Sequence, residues 1–168
     1  LRRFDYLSTI SSGMLKRATE KGIASDRLVF FPNWSEIERF KAVHPQPQLL
    51  TRLGVPAGKK LLLYSGNMGD KQGLEQVIDA ADALKDQSEL FFLLVGDGSG
   101  KKRLMKLADQ RQLSNVAFAP LQAYEDLPAL LATADVHLVI QKRGAADAVL
   151  PSKLTNILAV GGNAVITA

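Results

Sequence analysis

Three short stretches carry most of the reactive side chains, and each is built around glycine or proline. Ser65-Gly66-Asn67-Met68-Gly69-Asp70-Lys71-Gln72-Gly73 follows an apolar run and sets an amide and a lysine among three glycines. Backbone N–H groups unobstructed by side chains bind anions, and a nearby ammonium adds charge, so this stretch reads as a phosphate-side loop. It fits neither the G-x-G-x-x-G nor the P-loop pattern, and glycines that only turn the chain after a strand explain it equally well. Gly96-Asp97-Gly98-Ser99-Gly100 is a second such loop, in which Asp97 either meets a ligand or closes its own turn. In Pro151-Ser152-Lys153-Leu154-Thr155-Asn156, Ser152 is predicted to cap a helix. Lys153 then sits in a first turn where the helix dipole favours an acid, and a cation there implies an anionic partner. The plainer reading is a surface lysine.

The rest of the composition excludes several chemistries. The 168 residues include no cysteine, which removes disulfides, thiolate nucleophiles and cysteine-type zinc sites. His44 and His137 are the two histidines, far apart and without ligand spacing around either, so no metal site is expected. A net charge of +4 suits an anionic small ligand or an acidic membrane surface, and nucleic acid is not expected as a partner. Lys101-Lys102-Arg103 and Lys106 form a basic helix start, read first as a solvated face and second as a contact for anionic lipid. Trp34 reads as packing at a domain hinge, with a stacking platform as the alternative. No signal peptide or membrane-spanning run is present. The chain opens without methionine and closes inside an apolar strand, so it is expected to be an internal piece of a longer protein.

The elements that must position these loops follow from hydrophobic periodicity. A strand is predicted at Phe4–Ile10, then a Ser11-Ser12 cap, a helix from Met14 to Lys21 ended by Gly22, and a buried strand at Leu28–Phe31. Phe40 to Gly58, with its prolines and a brief helical signal at Gln48–Leu53, reads as a connection between domains. From there strands and helices alternate strictly: Leu61–Ser65, helix Leu74–Lys85, Leu90–Val95, helix Lys102–Gln112, Val116–Phe118, helix Asp126–Thr133, Val136–Ile140, helix Ser152–Ala159 and Ala164–Thr167. Five strands alternating with four helices predict an α/β fold: a doubly wound, Rossmann-like parallel sheet with ligands outside the carboxyl ends of its strands.

Several of these pieces occur in a familiar order: Thr9-Ile10-Ser11 before Met14, Phe31-Pro32-Asn33-Trp34, Ser65-Gly66-Asn67-Met68-Gly69, Val95-Gly96-Asp97-Gly98, Ala134-Asp135-Val136, and Leu150-Pro151-Ser152-Lys153. Together they resemble the retaining glycosyltransferases of family 4, of GT-B fold, and within them the bacterial group that builds colanic-acid and O-antigen polysaccharides. The resemblance covers nearly the whole chain. It implies that residues 1–40 end an acceptor domain, 41–58 link the domains, and 59–168 form a nucleotide-sugar domain without its closing helices. It also implies a cytoplasmic enzyme, on the basic-helix reading peripheral at the inner membrane face. That enzyme would use a nucleotide-sugar donor, a polysaccharide or lipid-linked saccharide acceptor, and neither cofactor nor divalent metal.

By the same resemblance, a basic residue after the first strand of this domain stabilises charge on the leaving diphosphate, and Lys71 is the residue available for that catalytic role. A second cation is common where Asn67 stands. Gly66, Asn67, Gly69, Asp97, Ser152 and Lys153 would line the donor site, and main-chain groups of Pro120-Leu121-Gln122 would hold the base, with Leu121 at the centre. Two glutamates with seven residues between them are common in the family; here the second position is Asn156 and the first falls near Ala148, with Asp147 beside it. Asn156 would face the ribose while Ile157 and Leu158 point into the core, its bonds lacking charge assistance. The missing acids leave two alternatives open: a nucleotide-sugar epimerase of the same architecture, or a nucleotide-binding module without turnover.

Overall fold

The computed structural model describes residues 3–32, 34, 36–41, 43–70, 72–142 and 151–167. Two parallel sheets follow one another along the chain. The first pairs β1 (Leu7–Thr9) with β2 (Leu28–Phe30), joined by α1 (Ser12–Glu20). The Ser11 side chain caps α1 by accepting from the Met14 N–H, and Gly22 takes the positive φ that follows the helix end, both as the sequence predicts. The strands are shorter than expected, and β2 is not buried: Val29 and Phe30 are exposed. A sheet of two strands, with one helix against it among the described residues, leaves such side chains uncovered.

The second sheet has the order β5-β4-β3-β6-β7, all parallel. Its strands are β3 (Lys60–Ser65), β4 (Leu90–Val95), β5 (Val116–Ala119), β6 (Val136–Val139) and β7 (Ala164–Ile166). The side-chain alternation of β3 and β4 divides the core in two. Leu61, Leu63, Phe91, Leu93 and Val95 face one layer, while Tyr64, Phe92 and Leu94 face the other. The second layer is closed by α4 (Glu75–Ala83) and α5 (Lys101–Gln110), through Val77, Ile78, Leu104 and Ala108. The first is closed by α6 (Leu127–Thr133), through Leu130 and Leu131, and α7 (Lys153–Ala159) lies over β6, with Leu154 and Ile157 on Val139. Both faces being covered, the strands read as continuous apolar runs, which is why periodicity locates them to within a residue or two.

The stretch read as an interdomain connection is folded. α2 (Ile37–Phe40) leads into it and α3 (Pro47–Arg52) lies within it; these helices contact α7 and α6 respectively, and Phe40, Leu49 and Val55 are buried in the same cluster as Leu61 and Leu63. Asp135 ties the other end of the sheet: its carboxylate accepts from the Leu61 N–H at 2.8 Å and pairs with the Lys60 ammonium at 3.0 Å. The Ala134-Asp135-Val136 motif therefore fixes β6 beside β3, and its acid is a structural one.

Candidate functional site

The strand order reverses between β3, whose chain goes on to β4 and β5, and β6, which the chain reaches by crossing back. Crevices in open α/β sheets form at such points. One of about 320 Å³ occurs here, lined by Ser65, Gly66, Lys153 and Asn156 and by Leu63 of β3 with Leu127, Leu130 and Leu131 of α6. Leu121, Gln122 and Tyr124, from the β5–α6 loop, form its side. Among the described residues no carboxylate lines it, and Lys153 is its charged group.

Two glycines are needed for the geometry of its edge. Gly96 has φ +154°, and a Cβ there would overlap the Gly66 carbonyl oxygen. Gly66 has φ +145°, and a Cβ there would lie 3.1 Å from the Lys153 Nζ. The loops after β3 and β4 are then stitched together: the Met68 N–H donates to the Asp97 carbonyl at 2.7 Å and the Gly100 N–H to the Met68 carbonyl at 2.8 Å. Thus the glycines of the second loop let it approach the first loop. The Asp97 carboxylate accepts from the next N–H, that of Gly98, at 2.7 Å, and closes its own turn.

Lys153 is the unusual group. It extends from α7, on one side of the sheet, yet its ammonium lies 4.1 Å from the ring centroid of Tyr64, whose neighbours belong to the other side. Burial lowers its pKa to about 8, and burial likewise pushes the Tyr64 phenol up to about 12. The surface-lysine reading is thereby replaced by a cation held inside a cleft. Ser152 precedes α7 but has helical dihedrals and makes no side-chain capping bond, contrary to expectation; its carbonyl accepts from the Thr155 hydroxyl.

Gly66, Leu121, Lys153 and Asn156 therefore share one cleft, and Ser152, Lys153 and Asn156 share a second of about 390 Å³ with Trp34. Trp34 is 77% exposed and meets Phe31 edge-on at 5.6 Å. Asn67, Gly69 and Asp97 lie along the stitched loops outside both clefts, with the Asn67 amide against Gly69 and Gly98. Lys71, Asp147 and Ala148 lie outside the described residues. Leu158 is exposed, against the expectation of a core position: the buried stripe of α7 is Leu154 and Ile157, and Leu158 sits about 100° further round than Ile157. In the basic helix start, Lys101 is no solvated residue. Its ammonium donates to the Gly96 carbonyl at 2.9 Å, while Arg103 pairs with Asp70 at 2.9 Å and with Glu75.

Sequence reading missed three lining or supporting residues. Tyr64 was hidden in an apolar run, although a tyrosine at the carboxyl end of a buried strand must find a partner for its hydroxyl. Tyr124 stands at the rim with the Arg39 guanidinium stacked 4.2 Å from its centroid. His137, in β6, reaches the cleft's inner wall; burial lowers its pKa, a hydrogen bond to the Leu131 backbone opposes this, and its Nε2 has no partner.

The family model described as Glycosyl transferases group 1 matches residues 46–168. The chain belongs to this family. A protein of Escherichia coli K12 named as a colanic acid biosynthesis glycosyl transferase, WcaI, is 61% identical over 170 residues, which cover 100% of this chain and 42% of that protein. A Pseudomonas aeruginosa protein named as the glycosyltransferase WbjE is 28% identical over 89% of this chain and 37% of its own length. The chain spans less than half the length of these curated relatives. Among solved structures, Anabaena HepE in complex with UDP-glucose superposes with a TM-score of 0.79 at 20% identity, over 96% of this chain and 44% of that one. WaaG, a glycosyltransferase involved in lipopolysaccharide biosynthesis, gives 0.75 at 19% identity, over 94% of this chain and 43% of its own. The group 1 glycosyl transferase fold predicted from the sequence, a parallel sheet with helices on both faces, is the one observed, and it matches these GT-B neighbours.

Proposed function

We propose that the protein transfers a sugar from a nucleoside diphosphate donor to a polysaccharide or lipid-linked saccharide acceptor, with retention at the anomeric carbon. The observation that carries this reading is the Lys153 ammonium, held beside Gly66 in a cleft at the strand-order reversal that has no carboxylate among its described lining residues. In the reaction the bond from the anomeric carbon to the β-phosphate oxygen breaks, and a bond to an acceptor hydroxyl oxygen forms on the same face as the proton of that hydroxyl passes to the departing diphosphate or to solvent. Negative charge grows on the departing diphosphate, and cations already aimed at it lower the barrier. Lys71 is the proposed catalytic cation and Lys153 the second. Asn156 addresses the ribose, the Leu121 segment the base, and Gly66, Asn67, Gly69, Asp97 and Ser152 complete the donor side.

In the same reading residues 1–40 close the acceptor domain and 59–168 form the donor domain, with the 41–58 connection packed against the latter. Contact with the inner face of a membrane falls to Lys102 and Lys106, the exposed members of the basic cluster whose partners are solvent. The test is the full-length protein incubated with a panel of radiolabelled nucleoside diphosphate sugars and a lipid-linked saccharide. Label in a lengthened acceptor, with free nucleoside diphosphate, is the expected product. Recovery of an epimerised donor, or tight binding with no product, would overturn the reading in favour of an epimerase or a binding module.

A further inference from the structure

Tyr64, the penultimate residue of β3, is fully buried and its side chain makes two contacts that point the same way. The hydroxyl donates a 2.6 Å hydrogen bond to the Asn67 carbonyl, inside the turn that leaves the strand. The ring lies beneath the Lys153 ammonium, 4.1 Å from its centroid. Packing alone would be met at this position by leucine, as it is at Leu61 and Leu63. A ring face and a polar tip on one side chain are what these two contacts require.

We propose that Tyr64 is a positioning residue for the phosphate site: its ring seats the Lys153 ammonium beside Gly66, and its hydroxyl fixes the start of the loop that leads to Lys71. The inference rests on the nucleoside diphosphate reading above. It explains how a lysine mostly withdrawn from water remains a usable cation, since among the described residues no carboxylate is paired with it and the π face takes that place. It also explains why the loop and α7, which approach from opposite faces of the sheet, meet at one point. Gly66 separates them, and a side chain at that position would press on the ammonium.

The experiment is a double-mutant cycle on the full-length protein, read as affinity for UDP, GDP, ADP and dTDP, with the tightest of these then compared with its nucleoside. Tyr64→Phe keeps the ring and loses the hydroxyl bond; Tyr64→Leu loses both. Relative to wild type, Tyr64→Phe should weaken diphosphate binding several-fold, whether Lys153 is present or replaced by Met. Tyr64→Leu should weaken it by about a further tenfold, and that further loss should vanish in the Lys153→Met background. Nucleoside affinity should stay within about twofold throughout, a selectivity that general loosening of the core would not give. Should the leucine variant fail to fold, the phenylalanine variant still decides: equal affinity for the diphosphate, or equal losses for diphosphate and nucleoside, overturns the proposal. Additive losses in the leucine cycle overturn it as well. If wild type binds none of the four diphosphates, the donor reading itself falls; if it binds and the cycle fails, the role of Tyr64 alone is withdrawn.

Discussion

A lysine whose pKa is depressed by burial works against the fold while it is charged, and Lys153 is such a residue. The sign follows from proton counting. The folded pKa of about 8 lies below the ordinary value of 10.5, so between the two the unfolded chain holds the proton that the folded chain has released. Stability from this group is fully present above the unfolded value and is lost as the pH falls through about 8. The phenol of Tyr64, pushed up to about 12, acts oppositely, but only above about pH 10. A diphosphate in the cleft would favour the charged ammonium and raise its pKa again. Two curves should therefore run in opposite directions between about pH 7.5 and 9.5: the thermal midpoint of the wild type rises relative to Lys153→Met, while nucleoside diphosphate affinity falls. Parallel curves, or an affinity flat across this range, would count against a buried ammonium facing the phosphates. This residue also shows what one sequence can disclose. A cation in the wrong turn of a helix is visible in the order of residues, and it did point to Lys153. Its seat on Tyr64 was not visible, because an aromatic within Leu-Leu-Leu-Tyr looks like core until the other face of the sheet is folded over it.

Elements were easier to read than their contacts. Strands buried on both faces announce themselves as apolar runs, and the alternating helices follow from a period of 3.6, so the five-stranded sheet was legible almost residue by residue. The Phe40 to Gly58 stretch was not, because short helices interrupted by proline carry too little periodicity to separate packing from linking. Its folded state makes a measurable claim. Phe40 is 2% exposed in the core cluster of the large sheet, so Phe40→Ala should cost about 3–5 kcal/mol in denaturant unfolding. A simple tether would lose almost nothing. The glycines of the second loop were also legible, with a ligand contact and a plain turn both open. Their function in the fold is to let two loops touch. Gly96→Ala places a methyl group on the Gly66 carbonyl at a φ that alanine resists, and should destabilise the protein by about 2–4 kcal/mol while displacing the first loop. Full stability in that variant would mean that the loops are free to part.

For the whole molecule the central balance is electrostatic. The described lining of the main cleft offers lysine, amide and backbone groups, which on the proposed reading would share the charge of a diphosphate with Lys71 rather than with a metal ion. Transfer activity of the full-length protein is accordingly expected to survive exhaustive chelation, and a strict dependence restored by magnesium would show that the leaving charge is met in another way. The positive charge of the chain is also more committed than its composition suggests. Lys101 donates to the Gly96 and Ala119 carbonyls and Arg103 pairs with Asp70 and Glu75, so within the basic helix start Lys102 and Lys106 are the cations left to reach a surface. The contact between Gly66 and Gly96, finally, limits how this architecture can be rebuilt. The two loops are complementary halves of one moulding, and their hydrogen bonds match residue to residue across the gap. Anyone seeking to retune donor preference by grafting a loop from a relative would have to transplant residues 66–69 and 96–100 as a pair; either half alone would arrive without its mate.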